Sequence, residues 1–179
     1  MNICIYGAAS DEIDKSYLEC GEKLGVEIAS RKHSLVFGGG ATGLMGAVAR
    51  GVDRKNGTMI GIAPHFFDID GVLYKHCTEL IFTDTMRQRK EMMEQKSDAF
   101  IVTPGGIGTF EEFLEILTLR SLGRHKKPIA LFNTNGYYDK FVAFLQNSVE
   151  QKFLRKEDME LMFISDSEKA IIDYFENFS

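Results

Sequence analysis

The sequence predicts an α/β protein with one doubly wound parallel sheet and helices on both faces. Three observations carry that reading. Short apolar runs recur without polar interruption, as strands covered on both faces require. Amphipathic stretches separate these runs, giving the strand–helix alternation of right-handed parallel crossovers. No repeat, low-complexity segment or composition shift interrupts the 179 residues, a length suited to one domain that buries roughly 70% of its unfolded surface. The expectation is a single Rossmann-like domain over residues 1–179.

In chain order, the first strand is Ile3-Cys4-Ile5-Tyr6, followed by a helix over 11–31. Ser34-Leu35-Val36-Phe37 is the second strand and feeds a helix over 43–55. Met59-Ile60-Gly61-Ile62 is the third, and Glu79-Leu80-Ile81-Phe82 the fourth, leading into a helix over 85–96. Ala99-Phe100-Ile101-Val102 and Pro128-Ile129-Ala130-Leu131-Phe132 complete six strands. Helices follow over 108–122, 138–152 and 166–177. The second of these places Phe141, Phe144, Leu145 and Val149 on one stripe. The last opens with the capping-box spacing Ser165-Asp166-Ser167-Glu168. The three prolines, Pro64, Pro104 and Pro128, each fall at a strand edge.

Charge and cysteine usage exclude several partners. With 21 Lys+Arg against 26 Asp+Glu the net charge is −5, so nothing draws the chain to a nucleic-acid backbone or an anionic membrane. A small phosphorylated ligand needs only a local cationic pocket and stays open. Cys4, Cys20 and Cys77 are odd in number and widely spaced, which reads as reduced thiols in a cytoplasmic protein. The first residues lack a basic region, and no apolar stretch approaches the ~18–20 residues of a membrane span. His33, His65, His76 and His125 form no metal-ligand spacing and no Cys-x-x-Cys occurs, so no metal or cofactor is expected. No Gly-x-Ser-x-Gly elbow supports a serine hydrolase.

In a doubly wound sheet the ligand lies at the carboxyl ends of the strands, which narrows the search to strand-to-helix junctions. Tyr6-Gly7-Ala8-Ala9-Ser10 is a small-residue turn and weak evidence by itself. Residues 38–46 carry five glycines in nine positions ahead of a helix. Such a junction either presents amides to an anion or allows close helix–strand packing, and anion binding is the favoured expectation. The third junction, Thr103-Pro104-Gly105-Gly106-Ile107-Gly108-Thr109, aims amides and a hydroxyl at one point. It is followed by Glu111 and Glu112, and Thr109-x-x-Glu112 also has capping-box spacing, in which Glu112 would merely tie down the helix. Arg87, Arg89 and Lys90 sit near a helix start, where cations oppose the dipole unless an anion is near. A solvated basic face is the plainer alternative.

Pro104-Gly105-Gly106-Ile107-Gly108-Thr109-Phe110-Glu111-Glu112 resembles the P-G-G-x-G-T-x-x-E signature of the Lonely Guy (LOG) family. These are cytokinin riboside 5′-monophosphate phosphoribohydrolases, often labelled lysine decarboxylases. The resemblance continues in Gly38-Gly39-Gly40-Ala41-Thr42-Gly43-Leu44-Met45-Gly46, Met86-Arg87-Gln88-Arg89-Lys90, Ile62-Ala63-Pro64-His65-Phe66, Thr78-Glu79-Leu80 and Gly136-Tyr137-Tyr138-Asp139. It spans residues 3 to 172. It implies hydrolysis of the N-glycosidic bond of a nucleoside 5′-monophosphate such as AMP, giving a free base and ribose 5-phosphate. Arg89 and Glu112 would be the catalytic pair. Substrate contacts would fall on Glu79, Arg89, Lys90, Gly105, Gly106, Ile107, Gly108, Thr109, Phe110, Glu111 and Thr118, and the assembly would be a homodimer. The chain departs from the family in Thr118-Leu119-Arg120-Ser121-Leu122-Gly123, where Thr-Trp-x-Gln-Leu-Gly is common, and in Arg87, where His is frequent. Both departures lie outside the catalytic pair and bear on base preference and the dimer surface.

The chemistry suits these residue types. Glycosidic cleavage passes through an oxocarbenium-like state, which an ionised Glu112 can stabilise while orienting ribose or water. A glycine-rich cradle for the 5′-phosphate would align the reacting carbon. Arg89 is a permanent cation and a poor proton donor, better suited to clamping phosphate or the departing base. A non-catalytic nucleotide or molybdenum-cofactor carrier on the same fold is the alternative, against which the joint presence of Arg89 and Glu112 argues. A pyridoxal-phosphate decarboxylase would need a Schiff-base lysine and a larger cofactor domain, and the sequence shows neither.

Overall fold

Along strand β1 (Asn2–Tyr6), Ile3 and Ile5 face one helical layer while Cys4 and Tyr6 face the other, the two-residue period of a strand buried on both sides. The computed structural model describes residues 1–178. Strands β2 (Ser34–Phe37), β3 (Met59–Pro64) and β4 (Glu79–Thr83) extend the sheet on one side of β1. Strands β5 (Ala99–Val102), β6 (Ile129–Phe132) and β7 (Met162–Ser165) extend it on the other. The order is β4-β3-β2-β1-β5-β6-β7 and every pairing is parallel. The sheet is therefore doubly wound, and winding reverses between β1 and β5, where Ile3 pairs with Ala99 and Tyr6 with Val102.

Helices α1 (Lys15–Ser30), α2 (Gly43–Asp53) and α7 (Glu168–Glu176) cover one face through Leu24, Ile28, Val48, Val52, Ile171 and Phe175. Helices α3 (Met86–Lys96), α4 (Ile107–Ser121) and α5 (Asp139–Glu150) cover the other through Met93, Phe113, Ile116 and Leu145. A four-residue helix, α6 (Lys156–Met159), leads into β7. No helix is long and apolar enough to cross a membrane among the described residues.

Strand β7 and helix α6 go beyond the six-strand expectation. Both lie in a stretch that no glycine or proline punctuates, and β7 is an edge strand with only Met162 fully buried. Helix α1 begins at Lys15 rather than near residue 11, because Asp14 accepts from the Ser16 amide at 2.9 Å and caps it. The last helix is capped by Ser167, which accepts from the Ala170 amide at 3.2 Å, and not by Ser165 as the spacing suggested. Ser165 instead accepts from the Ser167 amide at 3.1 Å.

Candidate active site at the sheet reversal

At the reversal point the loops after β1 and β5 touch, the Ala8 amide donating to the Pro104 carbonyl at 3.0 Å. The glycine-rich junction before α2 is bound into this contact. Leu44 and Met45 amides both donate to the Ala8 carbonyl, at 2.9 and 3.2 Å. The Gly43 amide donates to Asp11 Oδ1 at 2.7 Å. The amides of Gly43, Leu44 and Met45 at the start of α2 are thus held by the protein itself. Close packing requires glycine at 43 and 46, where a Cβ would stand 2.5 Å from the Ala8 carbonyl oxygen and 2.1 Å from that of Ala41, so the start of α2 does not present these amides to an anion as expected.

The junction before α4 behaves differently. Helix α4 is capped by Gly106, with no side-chain cap. The amides of Gly105, Gly106, Ile107, Gly108 and Thr109 have no acceptor among the described residues. Their loop carbonyls point elsewhere: Thr103 accepts from the Tyr138 hydroxyl at 2.7 Å and Gly105 from the Tyr137 hydroxyl at 2.6 Å. A Cβ on residue 105 would lie 2.1 Å from Thr109 Oγ1, so glycine there lets the hydroxyl fold over the loop. Five amides without a partner at a helix N-terminus are the arrangement that the expected anion cradle requires.

Glu112 is no cap. The helix starts at Ile107, so Thr109 lies inside the first turn and Glu112 points into the core. This corrects the capping-box alternative. Glu112 Oε1 accepts from Arg89 Nη1 at 2.8 Å, with both side chains buried. Helix α3 is closed by its own capping box, Thr85 with Gln88, so its first turn does not need an external anion. Arg89 follows that turn, and its Nε donates to the Ile62 carbonyl at 3.1 Å. Its guanidinium therefore runs under β3 and past Gly38 to reach α4. Burial pushes the Glu112 carboxyl above its ordinary pKa, and Arg89 opposes that shift without cancelling it. In the same core layer burial pushes the Cys4 thiol up to about 12, leaving it neutral beside the pair.

The other expected site residues divide into three groups. Lys90 bridges α3 to α4, paired with Glu111 and, at 2.9 Å, with Glu115. Burial works against its charge, and the two carboxylates more than offset this and raise its pKa. Phe110 is half-buried against Phe141, ring centroids 5.2 Å apart, while Gly106, Ile107 and Gly108 are exposed beside the cradle. Glu79 and Thr118 are not brought to the pair. Glu79 starts β4, at the amino edge of the sheet, 3.7 Å from Lys96, and Thr118 is exposed further along α4. Two features were quoted in the sequence only as motif residues, with no role attached: the passage at Gly38, and the grip of Tyr137 and Tyr138 on the loop.

A family model described as "Possible lysine decarboxylase" matches residues 45–175. The chain is 36% identical over 177 residues to the cytokinin riboside 5′-monophosphate phosphoribohydrolase LOG3 of Arabidopsis thaliana, covering 99% of this chain and 82% of that protein. It belongs to the LOG family. LOG1 of the same plant, with the same printed activity, is 35% identical over 98% of this chain and 83% of its own length. Among solved structures, the molybdenum cofactor binding protein of Rippkaea orientalis superposes with a TM-score of 0.74 at 22% identity, over 98% of this chain and 94% of that one. The Moco carrier protein of Chlamydomonas reinhardtii gives 0.73 at 21%, over 99% and 96%. At that identity the likeness establishes the shared fold alone. Every element from α2 to α7, and with them Arg89, Glu112 and the α4 cradle, lies at least in part within the span matched by the LOG-family model.

Proposed function

We propose that this LOG-family protein hydrolyses the N-glycosidic bond of a nucleoside 5′-monophosphate, AMP or a cytokinin riboside 5′-monophosphate, to free base and ribose 5-phosphate. The observation that carries the reading is a buried Arg89–Glu112 pair, Glu112 standing one helical turn after Thr109, the last of five amides without an acceptor among the described residues. The cradle at Gly105–Thr109 takes the 5′-phosphate and places the anomeric carbon toward the pair. Glu112, ionised and screened from water, stabilises the ribosyl cation and orients the ribose or the attacking water. Arg89 keeps that carboxylate charged and in place and offers a fixed positive charge to the departing base. Lys90 and Glu111 line the approach between α3 and α4. Glu79 and Thr118, remote within one chain, enter the reading only through a homodimer. Leu114, 43% exposed on the same helix as Thr118, and Leu122, 67% exposed just past its end, give such a contact apolar surface. The cytoplasm is the proposed compartment.

Release of adenine from AMP, and of the free base from isopentenyladenosine monophosphate, followed by chromatography, tests this reading. Release from either substrate supports it. Binding of nucleotide without base release from any monophosphate overturns it in favour of a non-catalytic carrier.

A further inference from the structure

The Gly105-Gly106 dipeptide is the part of the cradle least able to hold its own orientation, because glycine restricts neither φ nor ψ by a side chain. Yet its amides must all face one way to receive an anion. A trans peptide is planar, so the N–H of one residue points opposite to the carbonyl of the residue before it. Fixing the Pro104 carbonyl therefore fixes the Gly105 N–H, and fixing the Gly105 carbonyl fixes the Gly106 N–H. The Ala8 amide does the first, at 3.0 Å, and the Tyr137 hydroxyl does the second, at 2.6 Å. The Tyr138 hydroxyl holds the carbonyl before Pro104, that of Thr103, at 2.7 Å.

The geometry points to Tyr137 as a positioning residue that turns the Gly106 amide toward the substrate phosphate, with Tyr138 anchoring the start of the same loop. This inference rests on the phosphate-cradle reading above. The two phenols are themselves well fixed. They follow the 3₁₀ turn Thr134–Gly136, where Asn133 Oδ1 accepts from the Tyr138 amide at 2.7 Å. Asn135 ties that turn to α1 through Ser16 Oγ at 2.8 Å. The Tyr137 ring meets Tyr17 edge-on at 6.2 Å and Tyr138 at 5.0 Å. Tyr138 is fully buried, its ring against Phe110 and Phe141. The β6-to-α5 junction thus sets the polarity of the β5-to-α4 junction without touching the substrate's reacting atoms.

The test is Tyr137→Phe, which keeps the ring packing and removes only the hydroxyl. KM for AMP should rise about 5–10-fold with kcat within about twofold, the pattern of lost uniform binding from one hydrogen bond. The inhibition constant of inorganic phosphate should weaken in parallel. The Gly106 amide resonance should be sharp in the wild type and broadened by exchange in the variant. An unchanged KM and phosphate inhibition in Tyr137→Phe, with a phosphate-sensitive wild type, overturns the inference alone. A sharp Gly106 resonance in both proteins does the same. A wild type indifferent to inorganic phosphate and to ribose 5-phosphate overturns the cradle reading itself, and the inference falls with it.

Discussion

The Arg89 guanidinium occupies the space where a side chain at Gly38 would begin. A Cβ built on Gly38 would stand 2.0 Å from Arg89 Nη2 and 3.1 Å from Cζ. The end of β2 and the start of α3 are therefore matched by an absence, and the buried ion pair depends on it. Gly38→Ala should displace the guanidinium from Glu112. The expected result is a fall in kcat of about 10²-fold, as for loss of one preorganised electrostatic group, with overpacking costing about 1–3 kcal/mol. Steady-state base release and a urea unfolding curve measure both, and wild-type turnover in this variant would show that the pair tolerates displacement.

Glu112→Gln removes the charge at nearly constant shape, and its amide oxygen can still accept from Arg89 Nη1. The substitution also leaves the buried Arg89 guanidinium without its counter-charge, so stability should fall by about 3–5 kcal/mol, and turnover is compared on protein shown by circular dichroism to be folded. If the carboxylate faces a developing ribosyl cation, kcat should fall by about 10²-fold or more. Turnover close to wild type on a folded Gln variant would leave Glu112 as a purely structural partner of Arg89.

The raised pKa of Glu112 fixes the sign of a pH effect. In the proposed reaction Glu112 acts as the carboxylate, so activity should be lost as pH falls through its folded-state value, which lies above the ordinary 4.5. The acid limb of kcat/KM should accordingly sit above that value in the wild type. The substrate phosphate also titrates near pH ~6, and the residual activity of Glu112→Gln isolates that contribution. Superimposable acid limbs in the two proteins would remove Glu112 from the profile. Stability carries the opposite slope: a group protonated more readily when folded helps below its unfolded pKa and loses that help as pH rises through the folded one.

Arg89→Met tests the pair from its other end. It leaves a carboxylate only 9% exposed without its cation, which should cost about 3–5 kcal/mol at a pH where Glu112 is ionised. The cost should shrink on acidification, as Glu112 takes up a proton. The double variant Arg89→Met/Glu112→Gln should regain part of the lost stability yet turn over no substrate. A single variant as stable as wild type across this range would mean that the two charges do not depend on each other.

Much of this was legible in the sequence, for identifiable reasons. Five strands, β1, β2, β3, β5 and β6, announce themselves because both their faces are buried, as in Phe100-Ile101-Val102, whereas β4, an edge strand with Glu79 and Leu80 exposed, was legible only as a short apolar run. β7 escaped because an edge strand need bury only one or two side chains, here chiefly Met162. Arg89 and Glu112 were named before their contact was visible, through the motif resemblance rather than through spacing: 23 residues separate them. Gly38 could not have been assigned its role, since what it accommodates arrives from a helix beyond two further strands. The two glycine-rich junctions looked alike for a related reason. Glycine signals close approach, and the sequence does not say whether the approaching group is Ala8 or a phosphate.

That ambiguity yields the last prediction. At α2 the amides of Gly43, Leu44 and Met45 are held by Asp11 and Ala8, whereas at α4 those of Gly105 to Thr109 have no protein acceptor among the described residues. Both helix starts carry the same partial positive charge, so dipole strength alone would make them equivalent. Hydrogen-bonding capacity separates them, because a phosphate at α2 would have to displace a carboxylate already bonded at 2.7 Å. Titrating ribose 5-phosphate into ¹⁵N-labelled protein should shift the amide resonances of Gly105, Gly106, Ile107, Gly108 and Thr109 in a saturable manner. Those of Gly43, Leu44 and Met45 should move much less. Asp11→Asn should weaken the α2 cap by about 1 kcal/mol and leave the ribose 5-phosphate dissociation constant nearly unchanged. Saturable shifts centred on residues 43–45, or loss of affinity in Asp11→Asn, would relocate the phosphate to α2 and restore the anion-binding role that the glycine cluster at 38–46 first suggested.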